Sequence, residues 1–335
     1  MSRRTSVAAI GLAVMLVLLG AAYLAVGWGL GTSAQSGEYR LAGYWTQASG
    51  VPLNQPYAIA VDPGTGNVVV TDAANQRVVV FDTMGRVVRT FGAAGEGPGQ
   101  FALPTGVAVG PGGHVYVADY NQDRIQKFTP TGEYLLEWGG FGTGESEFDS
   151  PNGLAVDAVG NVYVADFYNK VVKVFSGNGE FLCRVGQPGH WQLGALDYPT
   201  DVDVAEDGRI LVADAYNYRV QLFEPNAAPS DAWGWHVLWL WPLPSRGTAG
   251  FGEATSATFG AGSGRIHVAD ARNYRVAMLD AGGRFVTDYV LSHRRSGPFS
   301  PMQVAASPDG RQVYATDLAN DRVVVLSVAE ESATD

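Results

Sequence analysis

The sequence predicts an all-β chain folded as a six-bladed propeller of four-stranded blades. Three observations predict it: a motif written six times, the length of its period, and one strand left over at the N-terminus. The motif is a β-branched run ending in aspartate, as in Val-Tyr-Val-Ala-Asp119, and it recurs at Asp72, Asp119, Asp166, Asp214, Asp270 and Asp317 in steps of 47, 47, 48, 56 and 47 residues. A fixed period of this size marks a solenoid, a propeller or an array.

Each unit opens on a short apolar run, such as Tyr57-Ala-Ile-Ala-Val61, usually just after a proline (Pro56, Pro104, Pro151, Pro199, Pro301). A turn and the aspartate-terminated run follow. After a polar turn comes a third run, Arg77-Val-Val-Val-Phe81 or Arg219-Val-Gln-Leu-Phe223, and after another turn a fourth, such as Glu133-Tyr-Leu-Leu-Glu-Trp138. Runs of four to six residues rich in Val and aromatics and bounded by Gly, Pro and Asn read as strands, and four antiparallel strands make one propeller blade. The sixth unit stops near Glu330 after its third strand, while Glu38-Tyr-Arg-Leu-Ala-Gly-Tyr-Trp45 stands ahead of the first unit. That segment is expected to supply the missing outer strand and close the ring, which leaves no open edge.

The third unit reads Pro151-Asn-Gly153-Leu-Ala-Val-Asp157 and then Gly160-Asn161-Val-Tyr-Val-Ala-Asp166. This resembles the NHL repeat, whose sense is Pro-x-Gly-aliphatic-Ala-Val-Asp, Gly-Asn-Val-Tyr-Val-Ala-Asp and, after the turn, Asn-x-Arg-Val-x-x-Phe. The unit departs from it at Val171, where the arginine is missing. The resemblance covers residues 38 to 330 and implies a six-bladed NHL propeller, with residues 331–335 as an acidic tail.

From Val7 to Leu30 there is no charged residue, and Arg3 and Arg4 precede that stretch. The length suits a bilayer span, and the flanking arginines place residues 1–6 in the cytoplasm. We therefore expect a signal-anchor helix at residues 7–31, a linker at 32–37 and an extracytoplasmic propeller at the cell membrane; cleavage after Ala34, giving a secreted protein, is the alternative. The closing strand, an outer one, starts close behind the anchor, which implies that the bottom face meets the bilayer. The longer fourth unit is read as a bottom loop at Pro225–Trp235, with Trp233 and Trp235 either on the lipid headgroups or packed beneath the blade. Trp241 is expected at the outer-strand position of Trp45, Phe91 and Trp138. Lone Cys183 excludes an internal disulfide and reads as a small buried hydrophobe. A net charge of −11 with three lysines (Lys127, Lys170, Lys173) argues against nucleic acid as a partner.

The six aspartates, with Arg77, Arg124, Arg219, Arg275 and Arg322 five positions on, read as architecture because they repeat. Function is sought where copies differ. The turns after the aspartates carry Tyr120, Phe167, Tyr168, Tyr216, Tyr218, Arg272 and Tyr274 in units two to five, against alanines and Leu318 in units one and six. Rigid rings with polar tips suit protein, peptide or glycan recognition, and the turns lie on the top face with the inter-blade loops. Tyrosine also simply suits a turn beside a sheet. In the fourth inner strand Asp201 and Asp203 replace small residues, and Gln303 does so in the sixth. Alternate positions share a side of a strand, so the two carboxylates could hold a divalent cation such as calcium, or be solvated by channel water. Six-bladed relatives include zinc lyases with converging histidines, but His114, His190, His236, His267 and His293 show no metal-ligand spacing. No catalytic residue is assigned. The reading is a membrane-anchored scaffold or sensor module, with a cation-dependent hydrolase or lyase working in the central channel as the alternative.

Overall fold

A computed structural model describes residues 39–238, 241–244, 250–262, 264–290 and 298–328. Runs rich in Val, Ile and Phe, largely buried on both sides, form the second and third strands of the blades. Val68–Asp72 and Arg77–Phe81 are the example, with nearly every residue buried. Their sheets are completed by an inner strand, Pro56–Val61, and a half-exposed outer strand, Val87–Phe91. The same antiparallel order repeats in the sheets that begin at Pro104, Pro151, Pro199 and Ala254.

The sixth sheet is assembled from both ends of the chain. Tyr39–Trp45 pairs antiparallel with Arg322–Val328, Trp45 lying opposite Val323, so the outer strand expected from the N-terminus is present. Tyr39 is also tied to the preceding, fifth blade, its hydroxyl hydrogen-bonding His267 Nδ1. Apolar side chains gather in six clusters, each shared by two neighbouring blades, including one between the sixth and the first. The ring is therefore closed by hydrophobic burial as well as by the strand.

Outer-strand aromatics seal these clusters. Trp45 packs on Phe81 and Tyr314 at ring distances of 5.1 and 5.4 Å, and each such ring lies over a glycine of the following blade's last turn. At Gly283, with φ +73°, a Cβ would stand 2.1 Å from Trp233 Nε1, so only glycine fits there. Trp233 is thus the sealing ring of the fourth blade: it is 5% exposed and lies opposite Val220, as Trp138 lies opposite Ile125.

This corrects the placement of the fourth unit's extra residues. The turn between its third and outer strands is the short Glu224–Ala228, closed by Ala227 N donating to Glu224 O at 2.8 Å. The outer strand instead runs on from Pro229 to Leu238 and pairs back with Trp241–Pro244, a hairpin at the strand's top end. Trp241 lies in that hairpin, away from the sealing position, and the insertion lends no support to a bottom face resting on lipid. Cys183 is likewise exposed rather than buried, in an outer strand whose middle residues Leu182, Cys183 and Arg184 all reach solvent. The span expected at residues 7–31 lies outside the described residues; among those described, no helix is long and apolar enough to cross a membrane.

Every second-strand aspartate is fully buried. Asp72 accepts from Asn54 N at 2.7 Å, Asn75 Nδ2 at 2.8 Å and Arg77 Nε at 2.7 Å, and Asp214, Asp270 and Asp317 repeat the set with Arg219, Arg275 and Arg322. In the second blade Arg124 stands 4.0 Å from Asp119 and turns to Glu137 at 2.8 Å. In the third, where Val171 replaces arginine, Lys173 reaches Asp166 at 2.8 Å from the next inward-facing position, both groups being buried. Removing one partner of a buried pair costs about 3–5 kcal/mol. Lys173→Met should therefore lower the melting temperature by many degrees in calorimetry, and adding Val171→Arg should restore most of the loss; an unchanged melting point for Lys173→Met would show that the pair does not hold the third blade.

Candidate functional site

A short turn follows each aspartate, and its fourth residue sits in the left-handed region: Gln76, Asp123, Lys170, Tyr218, Tyr274 and Asp321, with φ between 50° and 57°. The conserved geometry fixes where the variable side chains of the turn emerge. In blades two to four these meet. Phe167 lies 6.3 Å from Tyr120, 5.0 Å from Tyr168 and 6.2 Å from Tyr216, ring centre to ring centre. A further ring joins them: Tyr198, in the loop entering the fourth blade, is 5.0 Å from Phe167, 5.8 Å from Tyr168 and 4.8 Å from Tyr216. Tyr168 and Tyr216 are half exposed, at 49% and 50%, so the cluster is a surface and not a core.

Polar groups fix this cluster from beneath. Lys170 Nζ sits 4.1 Å over the Tyr198 ring and 2.8 Å from Asp197, and His190 Nδ1 is 3.1 Å from the other oxygen of Asp197. The Tyr120 hydroxyl bonds with Tyr168 and Ser150, and burial, followed by Tyr168, pushes its pKa up to about 12. Of the remaining residues singled out in the turns, Tyr218 and Tyr274 occupy the left-handed positions of blades four and five, and Arg272 is exposed and paired with Glu253 at 2.9 Å. They extend the face around the ring without entering the chain of stacked rings described above. Tyr198 is not legible as part of the cluster from the repeats, because it precedes Pro199 in a loop of variable length; its signal is only its place next to a motif proline.

The channel is divided by a polar bridge. Gln303 Nε2 donates to Asp201 Oδ1 at 2.8 Å, while Gln303 Oε1 accepts from Ile59 N at 2.6 Å. Ser256 and Val202 N also bond Asp201, so blades four, five and six meet at one carboxyl and the first blade joins them through Gln303. Gly153 makes room for it: a Cβ there would stand 2.2 Å from Asp201 Oδ1. Above the bridge only about 10 Å³ remains beside Tyr57 and Asn152, whereas below it a cavity of about 500 Å³ opens between the ends of the inner strands. Asp203, on the cavity wall, accepts from Thr258 Oγ1 at 2.9 Å and Phe259 N at 2.8 Å, tying blade four to blade five.

Burial pushes both carboxyls up, Asp201 to about 7. Both already accept protein donors, and among the described residues no three His, Cys, Asp or Glu side chains converge. A hard cation would have to displace those donors and draw its other ligands from carbonyls or water. Of the histidines, His267 is buried, with its pKa lowered to about 3 chiefly by burial, His190 is on the top face and His114 lies in the turn before Val115. The side chains of His236 and His293 lie outside the described residues.

The family model of the NHL repeat matches residues 53–81, 101–128, 148–175 and 196–223, which fall on the first four blades. Solved structures with the same architecture include a gluconolactonase from Xanthomonas campestris, 15% identical, with 87% of this chain and 91% of that one covered at a TM-score of 0.63. A chain of hydrazine synthase from Kuenenia stuttgartiensis is 14% identical, covering 88% and 100% at 0.58. Virginiamycin B lyase from Staphylococcus aureus is 12% identical, covering 87% and 100% at 0.56. At such identities the likeness is one of fold.

Asp201 gives a test with a definite sign. A carboxyl whose pKa rises on folding stabilises the fold at low pH, and that contribution is lost as pH climbs from about 4 towards 7. His267, lowered to about 3, acts oppositely, its contribution falling away as pH drops below about 6.5. In the parent the two therefore offset each other. Asp201→Asn keeps an acceptor for Gln303 and removes one of them, so its melting temperature relative to the parent should rise between pH 4 and 8; a constant offset would mean that folding does not raise the pKa of Asp201.

Proposed function

From the premise that the chain belongs to the NHL-repeat β-propellers, we propose that it is a binding module, a scaffold or sensor that engages a protein, peptide or glycan through its top face. The observation that carries this reading is the exposed ring cluster of Tyr168 and Tyr216 on Phe167 and Tyr198. Aromatic rings exposed together on a rigid scaffold offer large contact area at small entropic cost. The second reading is a hydrolase or lyase that holds a divalent cation at Asp201 and Asp203. It is favoured by the cavity beneath them and by the enzymes among the structural neighbours. The apolar stretch at residues 7–31 supports attachment to the cell membrane with the propeller outside, secretion after cleavage being the alternative.

Tyr168, Tyr216, Tyr218 and Tyr274 changed together to Ala should abolish capture of a partner that the parent chain retains, with circular dichroism unchanged. Equal capture by both chains would reduce the rings to architecture. The channel reading is separated by metal analysis: a stoichiometric metal in the purified protein, lost in Asp203→Ala, would favour it over the top face. Retention of the chain in carbonate-washed membranes, with the propeller cut by external protease on intact cells, is the outcome expected for an extracytoplasmic anchor.

A further inference from the structure

The ring cluster has an uneven electrostatic setting. In the turns and inter-blade loops of blades two to four, Glu96, Asp123, Glu145, Glu147, Asp149 and Asp197 are accompanied by Lys170 and His190, while Arg124, Lys173 and Arg219 reach in from the third strands to loop carbonyls. Lys170 is already used, held between Asp197 and the Tyr198 ring. Two of these acidic residues adjoin the rings through the backbone. Tyr168 N donates to the backbone oxygen of Asp149 at 3.1 Å, and the Asp123 carboxylate accepts from the backbone N of Ser150, whose side chain bonds Tyr120, at 2.7 Å. The pKa of Asp149 is raised by partial burial and then by the negative charge of Asp123. No cation of the chain pairs with either among the described residues.

We propose that this sector receives a cationic side chain, arginine or lysine, from a peptide segment of a partner protein, seated against Tyr168 and Tyr120 with its charge on Asp149 and Asp123. The inference rests on the top-face reading and names the chemistry of its partner. Lys170 supplies the intramolecular precedent, since an ammonium on a tyrosine face beside a carboxylate is the arrangement a ligand cation would reproduce one blade away. An aromatic face attracts a cation through its quadrupole, and the effect grows when a carboxylate stands beside it. Two like charges held close also favour a cationic ligand, which relieves their repulsion. A nucleic acid, by contrast, would meet uncompensated carboxylates.

The test is panning of a random heptapeptide phage library against the full-length chain in detergent micelles, followed by affinities of the selected peptides. Enrichment of Arg and Lys is expected. Binding should weaken as salt rises, and should fall about tenfold both when the peptide's Arg is replaced by citrulline and in Asp123→Asn/Asp149→Asn. Asparagine keeps the acceptor for Ser150 N, so the turn stays folded, which a melting curve checks. Selected peptides without excess cationic residues, or with affinity unchanged in the double variant, overturn the proposal. If those peptides are still lost on Tyr168→Ala, the top-face reading survives it. A library yielding no binder also overturns the cationic proposal, while the tyrosine variants in the capture assay judge the face separately.

Discussion

Six carboxylates buried at the ends of the second strands are the constraint on which the rest of the structure depends. An aspartate at full burial is tolerable only when its oxygens are saturated by donors, since an unpaired charge in the interior costs several kcal/mol. At Asp72, Asp214, Asp270 and Asp317 the donors come from three places at once: a backbone amide of the loop arriving from the previous blade, the turn asparagine, and the arginine that begins the third strand; Asp166 takes Lys173 in place of the arginine, and Asp119 is held chiefly by two loop amides. Each carboxylate thus fastens an inter-blade loop to a turn and a turn to a strand. Even so, burial outweighs the donors at Asp119, Asp166 and Asp214, whose pKa values are raised. What the aspartates contribute is geometry more than net stability; the apolar clusters between blades supply the latter.

That geometry explains which features were legible in the sequence. The aspartates, the valine runs and the leftover strand at residue 39 each repeat or complete a repeat, and the fold follows from them. Compensation within a blade is less visible. Lys173 replaces the arginine missing at Val171 from two residues further on, where only the pairing of strands shows that both positions face the same carboxylate. The fourth unit's insertion is hard to place from sequence for a related reason. Several tryptophans in one segment compete for a single sealing position, and the deciding contact, Trp233 on Gly283, joins residues of different blades. Tyr198 carries no such signal, because its neighbours in space belong to the turns of blades three and four.

The channel is the place where six-fold repetition is broken on the inside. Asp201, Asp203, Ser256, Thr258 and Gln303 stand where the remaining inner strands carry Ala or Gly, and most of them hydrogen-bond one another or a neighbouring strand's amide. A closed polar network of this kind fixes the spacing of blades and leaves little capacity for a ligand. Its one unusual property is a carboxyl poised near neutrality at the roof of a cavity, which is why the channel remains the alternative seat of function.

The outer face breaks the repetition differently. There the departures from alanine add exposed rings and carboxylates instead of mutual hydrogen bonds, and they concentrate on three adjacent blades. A scaffold that needed tyrosine for turn stability would use it in all six turns, yet Ala73, Ala74, Leu318 and Ala319 serve the same backbone conformation without rings. Since the turn does not require them, the rings of blades two to four are free of the architectural role that accounts for the aspartates. Their stacking also fixes each ring by its neighbours, so a partner would meet a surface already ordered and lose less entropy on binding. On the proposed reading, the asymmetry of the face, aromatic and acidic on one side and small on the other, would give a ring of nearly equal blades a single direction in which to bind.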